Sequence, residues 1–453
     1  MGFVLSILYF ITYYLTPAVI FGPLTAYRVE LILAALVMLV SLPAFLGSFI
    51  GKTSQTLALI GLAFSVLMSV FVGQDWAGGG VNAFLAFIPN AFAYFLVCLH
   101  CNSKRRLQLI VLMLLFVCLF VIAQGSIDLL RAAPPAFALQ PWMGSPYILP
   151  EGVGKSEWIF RLRGLGEIND PNDFGQLTVC VMPLVFIFWR KRAALRNSVF
   201  VLLPLCALLA GAFLTHSRGA MLAILAMVIV AMRRRIGTLP SLLIAGGMFV
   251  SAMALNFTGG RDISASAGSD RTSLWGAGLE MLKSHPLFGV GYNNFADYAG
   301  LTAHNSVVVC AAELGLVGLC FWALFLFSTV RDALVIASPA KVSEGEPIIP
   351  EKNPVPGARK IEALDKAEIN RLGQLMVLSL TGFLVSGWFL SRSFVLTLFL
   401  LGGMVEAIFE MALRRGMIFP RLPLRRVVLY TGGLAASLVV FTYIFLRVAN
   451  LSR

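Results

Sequence analysis

Apolar stretches long enough to cross a bilayer recur along the whole chain, separated by short polar or basic segments. A helix needs about 20 apolar residues to span the hydrocarbon core, and about thirteen such stretches can be counted. Their centres lie near residues 14, 40, 64, 90, 115, 181, 206, 225, 248, 316, 381, 403 and 437. Uninterrupted apolar runs such as residues 109–123 exclude the alternating pattern of a barrel strand. The pattern predicts an all-α polytopic membrane bundle of about 12–14 transmembrane helices, with periplasmic loops and short interfacial helices.

The composition agrees with this pattern. Of the 453 residues, 58% are hydrophobic and 13% are charged, whereas soluble domains carry about a quarter charged residues. The net charge of +13 comes from lysines and arginines clustered between apolar runs, where the positive-inside rule places them, so we expect no nucleic-acid partner. The seven cysteines lie in or beside apolar runs and indicate no disulfide framework.

The basic tracts predict the orientation of the spans. Each tract follows an even-numbered span, so those ends and the N-terminus are expected to be cytoplasmic. The tracts lie at residues 104–106, 190–196, 233–235 and 414–426. On this map residues 125–172 and 258–303 are periplasmic segments, and the proline-rich, charged stretch at 330–370 is a cytoplasmic linker.

We expect the chain to have four parts. N-terminal transmembrane helices occupy residues 1–124, and a catalytic core containing both periplasmic segments occupies residues 125–329. The linker at 330–370 is followed by C-terminal transmembrane helices at 371–453.

Arg218 lies in a predicted turn that joins two spans with almost no loop. A charged side chain at the outer boundary of the membrane is costly unless it pairs or faces water, which makes it a functional candidate. The alternative is an arginine that reaches the lipid headgroups. Gly219 would allow a ligand or another backbone to approach closely, which favours a site.

Residues 270–285 have helical character, and Pro286 would end the helix. Leu274, Trp275 and Leu282 fall on one face, as expected of an amphipathic helix at the outer interface. Arg271 would occupy its first turn, either as a ligand-binding residue or as an ordinary surface arginine.

His304 opens the tenth span. The macrodipole at a helix N-terminus disfavours the imidazolium form, and a neutral imidazole can act as a general base. The alternative is a structural helix-terminal histidine. Glu313 lies nine residues further along, on about the opposite face of the same helix, so it is expected to be an internal partner for another helix.

A further polar cluster precedes the sixth span. Asp170 or Asn172 would cap that helix and Pro171 suits its first position, but capping does not account for Arg161 and Arg163. The guanidinium fork matches phosphate oxygens, so the arginines predict an anionic, phosphorylated ligand. The sequence has no acidic cluster with metal-binding spacing, and we interpret Gly289 to Gly291 as a simple turn.

Together these motifs resemble the O-antigen ligase and polymerase superfamily of bacterial membrane glycosyltransferases. The resemblance covers about residues 160–330. It rests on four motifs in order: Arg163-Gly with Asp170-Pro-Asn172, Thr215-His-Ser-Arg-Gly219, Arg271 with Trp275 and His285-Pro-Leu-Phe-Gly-Val-Gly291, and His304-Asn305 with Glu313-Leu-Gly315.

The resemblance implies an architecture similar to C-type glycosyltransferases and an undecaprenyl-diphosphate-linked glycan donor, used without a nucleotide sugar, metal or other cofactor. It implies that Arg218 and Arg271 bind the diphosphate, with Arg163 as a weaker third candidate. It also implies that His304 is the catalytic base or orients the acceptor hydroxyl. His216 departs from the family motif and offers a second possible base.

The acceptor stays open at this point. Polymerisation of repeat units into exopolysaccharide or O-antigen is favoured over ligation to lipid A core and over transfer to a protein hydroxyl. The non-enzyme alternative is a lipid-linked glycan transporter, which usually shows related halves with interrupted helices. Expected partners are the glycan donor, a glycan or lipid acceptor, membrane lipid, a polysaccharide flippase and a chain-length regulator. The expected location is the bacterial inner membrane, with the active site facing the periplasm.

Overall fold

A computed structural model describes residues 1–27, 29–46, 53–130, 142–148, 156–257, 265–338, 343–344, 365–418 and 422–451. The α-helices among these residues are α1 (Gly2–Leu15), α2 (Pro17–Ile20), α3 (Val29–Leu46), α4 (Ser54–Gly73), α5 (Ala77–His100), α6 (Lys104–Leu130), α7 (Pro171–Leu184), α8 (Ala194–Asn197), α9 (Leu203–Leu214), α10 (Arg218–Ile236), α11 (Thr238–Ala254), α12 (Ala265–Ser284), α13 (Phe295–Ala299), α14 (Ser306–Ile336), α15 (Lys366–Gly387), α16 (Leu396–Arg414) and α17 (Leu424–Leu451). The strands are β1 (Trp142–Ile148), β2 (Ser156–Leu162), β3 (Ser343–Glu344) and β4 (Met417–Ile418).

Ten of the described helical segments are long and apolar enough to cross a membrane. The predicted fold class is therefore confirmed: the protein is an all-α polytopic membrane protein. Each predicted span coincides with a helix, but three of these helices are not among the ten. Helices α1 and α11 are only 14 and 17 residues long, and α10 carries Arg218 at its start and three arginines in its last turn.

The chain divides into two compact units, each assembled from separate stretches of sequence. Unit 1 contains Met1–Leu42, Ser103–Arg261 and Leu375–Ser386. Unit 2 contains Pro43–Asn102, Asp262–Gln374 and Gly387–Arg453.

Helix α7 forms the centre of unit 1. Nearly all of its residues are buried, and it packs against α6, α9 and α10. Its polar groups are satisfied inside the unit: the Gln176 side chain donates to the carbonyl of Phe383 at 3.2 Å, and the Ser379 hydroxyl donates to the carbonyl of Cys180 at 2.7 Å. A hairpin of antiparallel β1 and β2 contacts this core through β2.

Helix α14 is the longest element of unit 2 and packs against α4, α12, α16 and α17. It is interrupted at Gly315, whose φ of 64° and ψ of −165° are not helical. Leu314 on one side and Leu319 on the other are fully buried, so the interruption lies within the core of the unit.

The segment at 286–291 lies along this interruption and satisfies its backbone. Val290 and Gly291 donate their N–H groups to the carbonyls of Ala312 and Glu313 at 2.9 and 3.1 Å. In the opposite sense, Leu316 and Val317 donate to the carbonyls of Pro286 and Leu287 at 2.8 and 3.1 Å. The segment contains the turn that the sequence indicated and has a further role, because it replaces hydrogen bonds that a broken helix loses inside a membrane protein.

Helix α14 continues to Ile336 and α15 begins at Lys366, so both helices extend a few residues into the range predicted for the linker, 330–370. Of the residues in between, Ser343–Glu344 form β3, which pairs with β4 at the end of α16, while residues 339–342 and 345–364 lie outside the described part of the chain. None of the seven cysteines, all of which lie in the described part of the chain, forms a disulfide.

Candidate active site

In unit 1, the turn between α9 and α10 is as tight as predicted. Thr215 is fully buried, and its hydroxyl donates to the carbonyl of Ala212 at 2.7 Å and accepts from the N–H of Ser217 at 3.2 Å. The Ser217 hydroxyl then caps α10 by accepting from the N–H of Ala220 at 3.3 Å. Arg218 is the first residue of α10, so these hydrogen bonds fix the backbone that positions it, and its side chain is half-buried.

Arg161 joins the hairpin to this turn. Its side chain is buried, and Nε donates to the carbonyl of Thr215 at 2.9 Å while Nη2 donates to Oδ1 of Asn172 at 2.9 Å. This arginine, which capping did not explain, is a structural connection between β2, the α9–α10 turn and α7. Arg163 follows β2 directly, so it lies in a segment adjoining the turn before Arg218.

The start of α7 is capped as predicted. The Asp170 carboxylate accepts from the N–H of Asn172 at 2.7 Å, and Pro171 occupies the first position of the helix. Gly175, one turn further on, allows close packing, because a Cβ there would lie 3.2 Å from side-chain atoms of both Ser217 and Ala220.

His216 has a positive φ of 48° in the same turn. Its Nδ1 lies 2.8 Å from the carbonyl oxygen of Phe257. Because a carbonyl only accepts, Nδ1 carries the proton, and Nε2 is the nitrogen that a neutral ring could use as a base. The ring also packs on Phe213, with centroids 5.6 Å apart.

In unit 2, α12 has the buried face that the sequence predicted. Leu274, Trp275 and Leu282 are buried, and Gly278 packs against Val308 and Phe295. The helix begins at Ala265, so the prediction that Arg271 occupies its first turn was wrong. The residues added at the start are small and polar, and they carry no apolar periodicity that would have shown the extra turn.

Trp275 connects α12 to the segment that carries His304. Its indole N–H donates to the carbonyl of Ala303 at 2.9 Å. Arg271 lies four residues before Trp275 on the same helix, so the two share one face. The structure thus brings Arg271 and His304 into neighbouring segments of one unit.

His304 is held by the backbone on both sides. It has a positive φ of 51°, and its N–H donates to the Ser391 hydroxyl at 2.8 Å. Asn305, which follows it, is the N-cap of α14 and accepts from the N–H groups of Val307 and Val308 at 2.9 and 3.1 Å. The prediction that His304 lies at a helix N-terminus is confirmed, with the cap residue between it and the helix.

Residues 388–393, which carried no predicted role, lie against this segment. The Ser306 hydroxyl donates to the carbonyl of Leu390 at 2.7 Å and accepts from the N–H of Arg392 at 3.0 Å. Trp388 meets Trp275 edge to face, with centroids 6.0 Å apart. The sequence feature that could have indicated this segment is Arg392, which lies in a short gap between two apolar runs on the predicted outer side.

Glu313 is an internal partner, as expected. It is buried, and its carboxylate accepts from the N–H of Phe295, the first residue of α13, at 3.2 Å. It also lies beside the interruption of α14, where its carbonyl accepts from Gly291. Its contacts identify a structural role in supporting the loop that leads to His304.

The candidate residues therefore fall into two groups. Unit 1 carries Arg163, His216 and Arg218 in adjoining segments, and unit 2 carries Arg271 and His304 in adjoining segments. In the described part of the chain, no cluster of three or more His, Cys, Asp or Glu residues could hold a metal ion. The chemistry available from these side chains is anion binding by arginine and proton transfer by histidine.

A family model described as O-antigen ligase matches residues 203–323. The matched segment includes Arg218, Arg271 and His304, whereas Arg163 and Arg392 lie outside it. No curated protein matches the chain. The match confirms the resemblance to the O-antigen ligase and polymerase superfamily and supports glycosyl transfer as the general activity of this multi-pass membrane protein.

Proposed function

We propose that the protein transfers a glycan from undecaprenyl diphosphate to an acceptor hydroxyl at the periplasmic face of the bacterial inner membrane. The observation that carries this proposal is the arrangement in unit 2. The indole of Trp275 on α12, the helix that bears Arg271, bonds to the carbonyl of Ala303, the residue before His304, so the segments that carry the two candidate residues are in contact within the range that matches the family.

The proposed reaction is a direct displacement. His304 takes the proton of the acceptor hydroxyl, and the oxygen forms a bond to the anomeric carbon of the donor sugar. The bond from that carbon to the diphosphate oxygen breaks with inversion, and its electron pair leaves with the lipid diphosphate. Arg271 stabilises the negative charge of the leaving group, as charge-assisted hydrogen bonds from a guanidinium to phosphate oxygens do.

The fixed backbone around His304 supports its role as the base. Its N–H is bonded to Ser391, the preceding carbonyl is bonded to Trp275, and the following residue caps α14. A catalytic group works best when its position is set before the substrate arrives.

Arg218 and Arg163 are proposed as further diphosphate-binding residues on the strength of the sequence motifs. For Arg218 the family match adds support, since the matched segment includes it. His216 is proposed as the alternative base. In this mechanism arginines hold the diphosphate, so the transfer is proposed to need no divalent metal.

The proposed acceptor is the growing glycan, which makes the protein an exopolysaccharide or O-antigen polymerase. Ligation to lipid A core and transfer to a protein hydroxyl use the same displacement chemistry and differ in the acceptor. The intermediate that accumulates in an inactive strain distinguishes the first two: single lipid-linked repeat units indicate a polymerase, and finished but unattached polymer indicates a ligase.

The interruption of α14 is the one observation that favours a transporter, because transporters often place substrate sites at broken helices. In this protein, however, segment 286–291 bonds the backbone groups on both sides of the interruption. Those groups are engaged within the protein, which favours a structural role for the interruption over a substrate site.

The proposal is tested by replacing His304 with alanine in the native strain. We expect polymer to disappear and the lipid-linked intermediate to accumulate while the protein still reaches the membrane. His285→Ala is the matched control, since His285 is in the same unit and its ring nitrogen lies 3.0 Å from the neighbouring Ser284 hydroxyl. Normal glycan in a well-expressed His304→Ala strain would remove His304 as the base and direct attention to His216.

A further inference from the structure

Arg392 is the charged residue of the short segment between α15 and α16. The segment belongs to unit 2, and on the predicted topology it lies on the same face of the membrane as His304. An arginine between two apolar spans is costly unless it meets water or a polar or charged partner, which makes Arg392 a functional candidate.

Consecutive residues of this segment bond to the residues on either side of Asn305. The Ser391 hydroxyl accepts from the N–H of His304 at 2.8 Å, and the N–H of Arg392 donates to the Ser306 hydroxyl at 3.0 Å. The Ser393 hydroxyl donates to the carbonyl of Ser306. The backbone of Arg392 is therefore fixed beside the proposed base.

Asn305 itself adds an independent observation. Its side-chain oxygen is used in capping α14, but its Nδ2 atom is buried without a hydrogen-bond partner among the residues that the structure describes. The Asn305 amide is thus a donor without an acceptor among the described residues, and it belongs to the residue between His304 and Ser306, to which segment 391–393 is bonded. Phosphate oxygens are acceptors and would complete such a site.

We propose that Arg392 is a further anion-binding residue of the active site, where it binds the diphosphate of the lipid-linked donor together with Arg271. This inference rests on the proposed function. The half-buried Arg392 guanidinium would bind two phosphate oxygens at once, which a lysine cannot reproduce.

The test uses the purified full-length protein in detergent, with farnesyl diphosphate as the probe of diphosphate binding. We expect Arg392→Gln to weaken binding by about tenfold, which corresponds to about 1.4 kcal/mol. Arg392→Lys should retain part of the affinity, because it keeps the charge. It is also the variant to measure in place of Arg392→Gln if that variant does not fold. Farnesol, which lacks the diphosphate, should bind all variants equally.

Arg447→Gln is the matched control. Arg447 is an exposed arginine of the same unit, near the end of α17, and its guanidinium contacts Tyr443 of its own helix. Its replacement should leave farnesyl diphosphate binding unchanged. Equal weakening in both variants would indicate a general effect of lost positive charge and would overturn the assignment of Arg392.

The inference and the proposed function fail in different ways. Wild-type affinity in Arg392→Gln, with loss of transfer in His304→Ala, would overturn the inference and leave the proposed function standing. Failure of the wild-type protein to bind farnesyl diphosphate would overturn both. Selective weakening in Arg392→Gln supports the inference directly.

Discussion

Replacing Gly289 with alanine should destabilise the protein through the interruption of α14. A Cβ at Gly289 would overlap the backbone carbonyl of Glu313, and Gly289 has a φ of 69°, which L-residues rarely adopt. The segment must then move away from α14 and weaken the hydrogen bonds of Val290 and Gly291.

The expected cost follows from these contacts. A left-handed backbone conformation costs a non-glycine residue about 1–2 kcal/mol. Each of the two backbone hydrogen bonds contributes about 0.5–1.5 kcal/mol net. The substitution should therefore reduce stability by about 2–5 kcal/mol if both bonds are lost.

The assay is thermal unfolding of the purified protein in detergent, monitored with a thiol-reactive dye that labels buried cysteines as they become exposed. Gly276→Ala is the control, because nothing lies within 4 Å of a Cβ at Gly276 in α12 of the same unit. We expect a clear fall in melting temperature for Gly289→Ala and little change for Gly276→Ala. Equal melting temperatures for the two variants would refute the role assigned to segment 286–291.

Three further outcomes are expected. Ser391→Ala should lower turnover by about tenfold or more, because His304 loses the acceptor that fixes its N–H. Ser391→Thr keeps a hydroxyl and should restore activity. The control is Ser65→Ala, which removes a buried hydroxyl bonded within α4 and should leave turnover unchanged. Arg161→Ala should reduce stability by about 3 kcal/mol, since two hydrogen bonds from a charged group are lost. Thermal unfolding measures this loss, and an unchanged melting temperature would contradict the structural role of Arg161. Glycosyl transfer should persist in EDTA, and loss of activity that a divalent metal restores would contradict diphosphate binding by arginines alone.

The helical membrane fold could be predicted because apolar runs carry that information locally. The buried face of α12 and the Asp170 cap were predictable for the same reason, since spacing and cap chemistry act within one or two turns. The interruption at Gly315 was not, because a single glycine within an apolar run is compatible with a continuous helix. It depends on a partner segment distant in sequence, at residues 286–291.

The candidate site was predictable only in part. Motif order identified Arg218, Arg271 and His304, and the family match includes all three. The connection from Arg161 to Thr215 spans 54 residues and that from His304 to Ser391 spans 87. Such long-range side-chain contacts leave no local periodicity, which is why the roles of Arg161 and segment 388–393 emerged only from the structure.

The most direct measurement of the central claim is transfer by the purified protein from a lipid-diphosphate-linked oligosaccharide. Formation of elongated glycan and release of lipid diphosphate would be followed together for the wild-type, His304→Ala and His285→Ala proteins. We expect both products from the wild-type and His285→Ala proteins and neither from His304→Ala, although all three fold. Elongated glycan from His304→Ala at a near wild-type rate would contradict the assignment of His304 as the base of a glycosyl transfer.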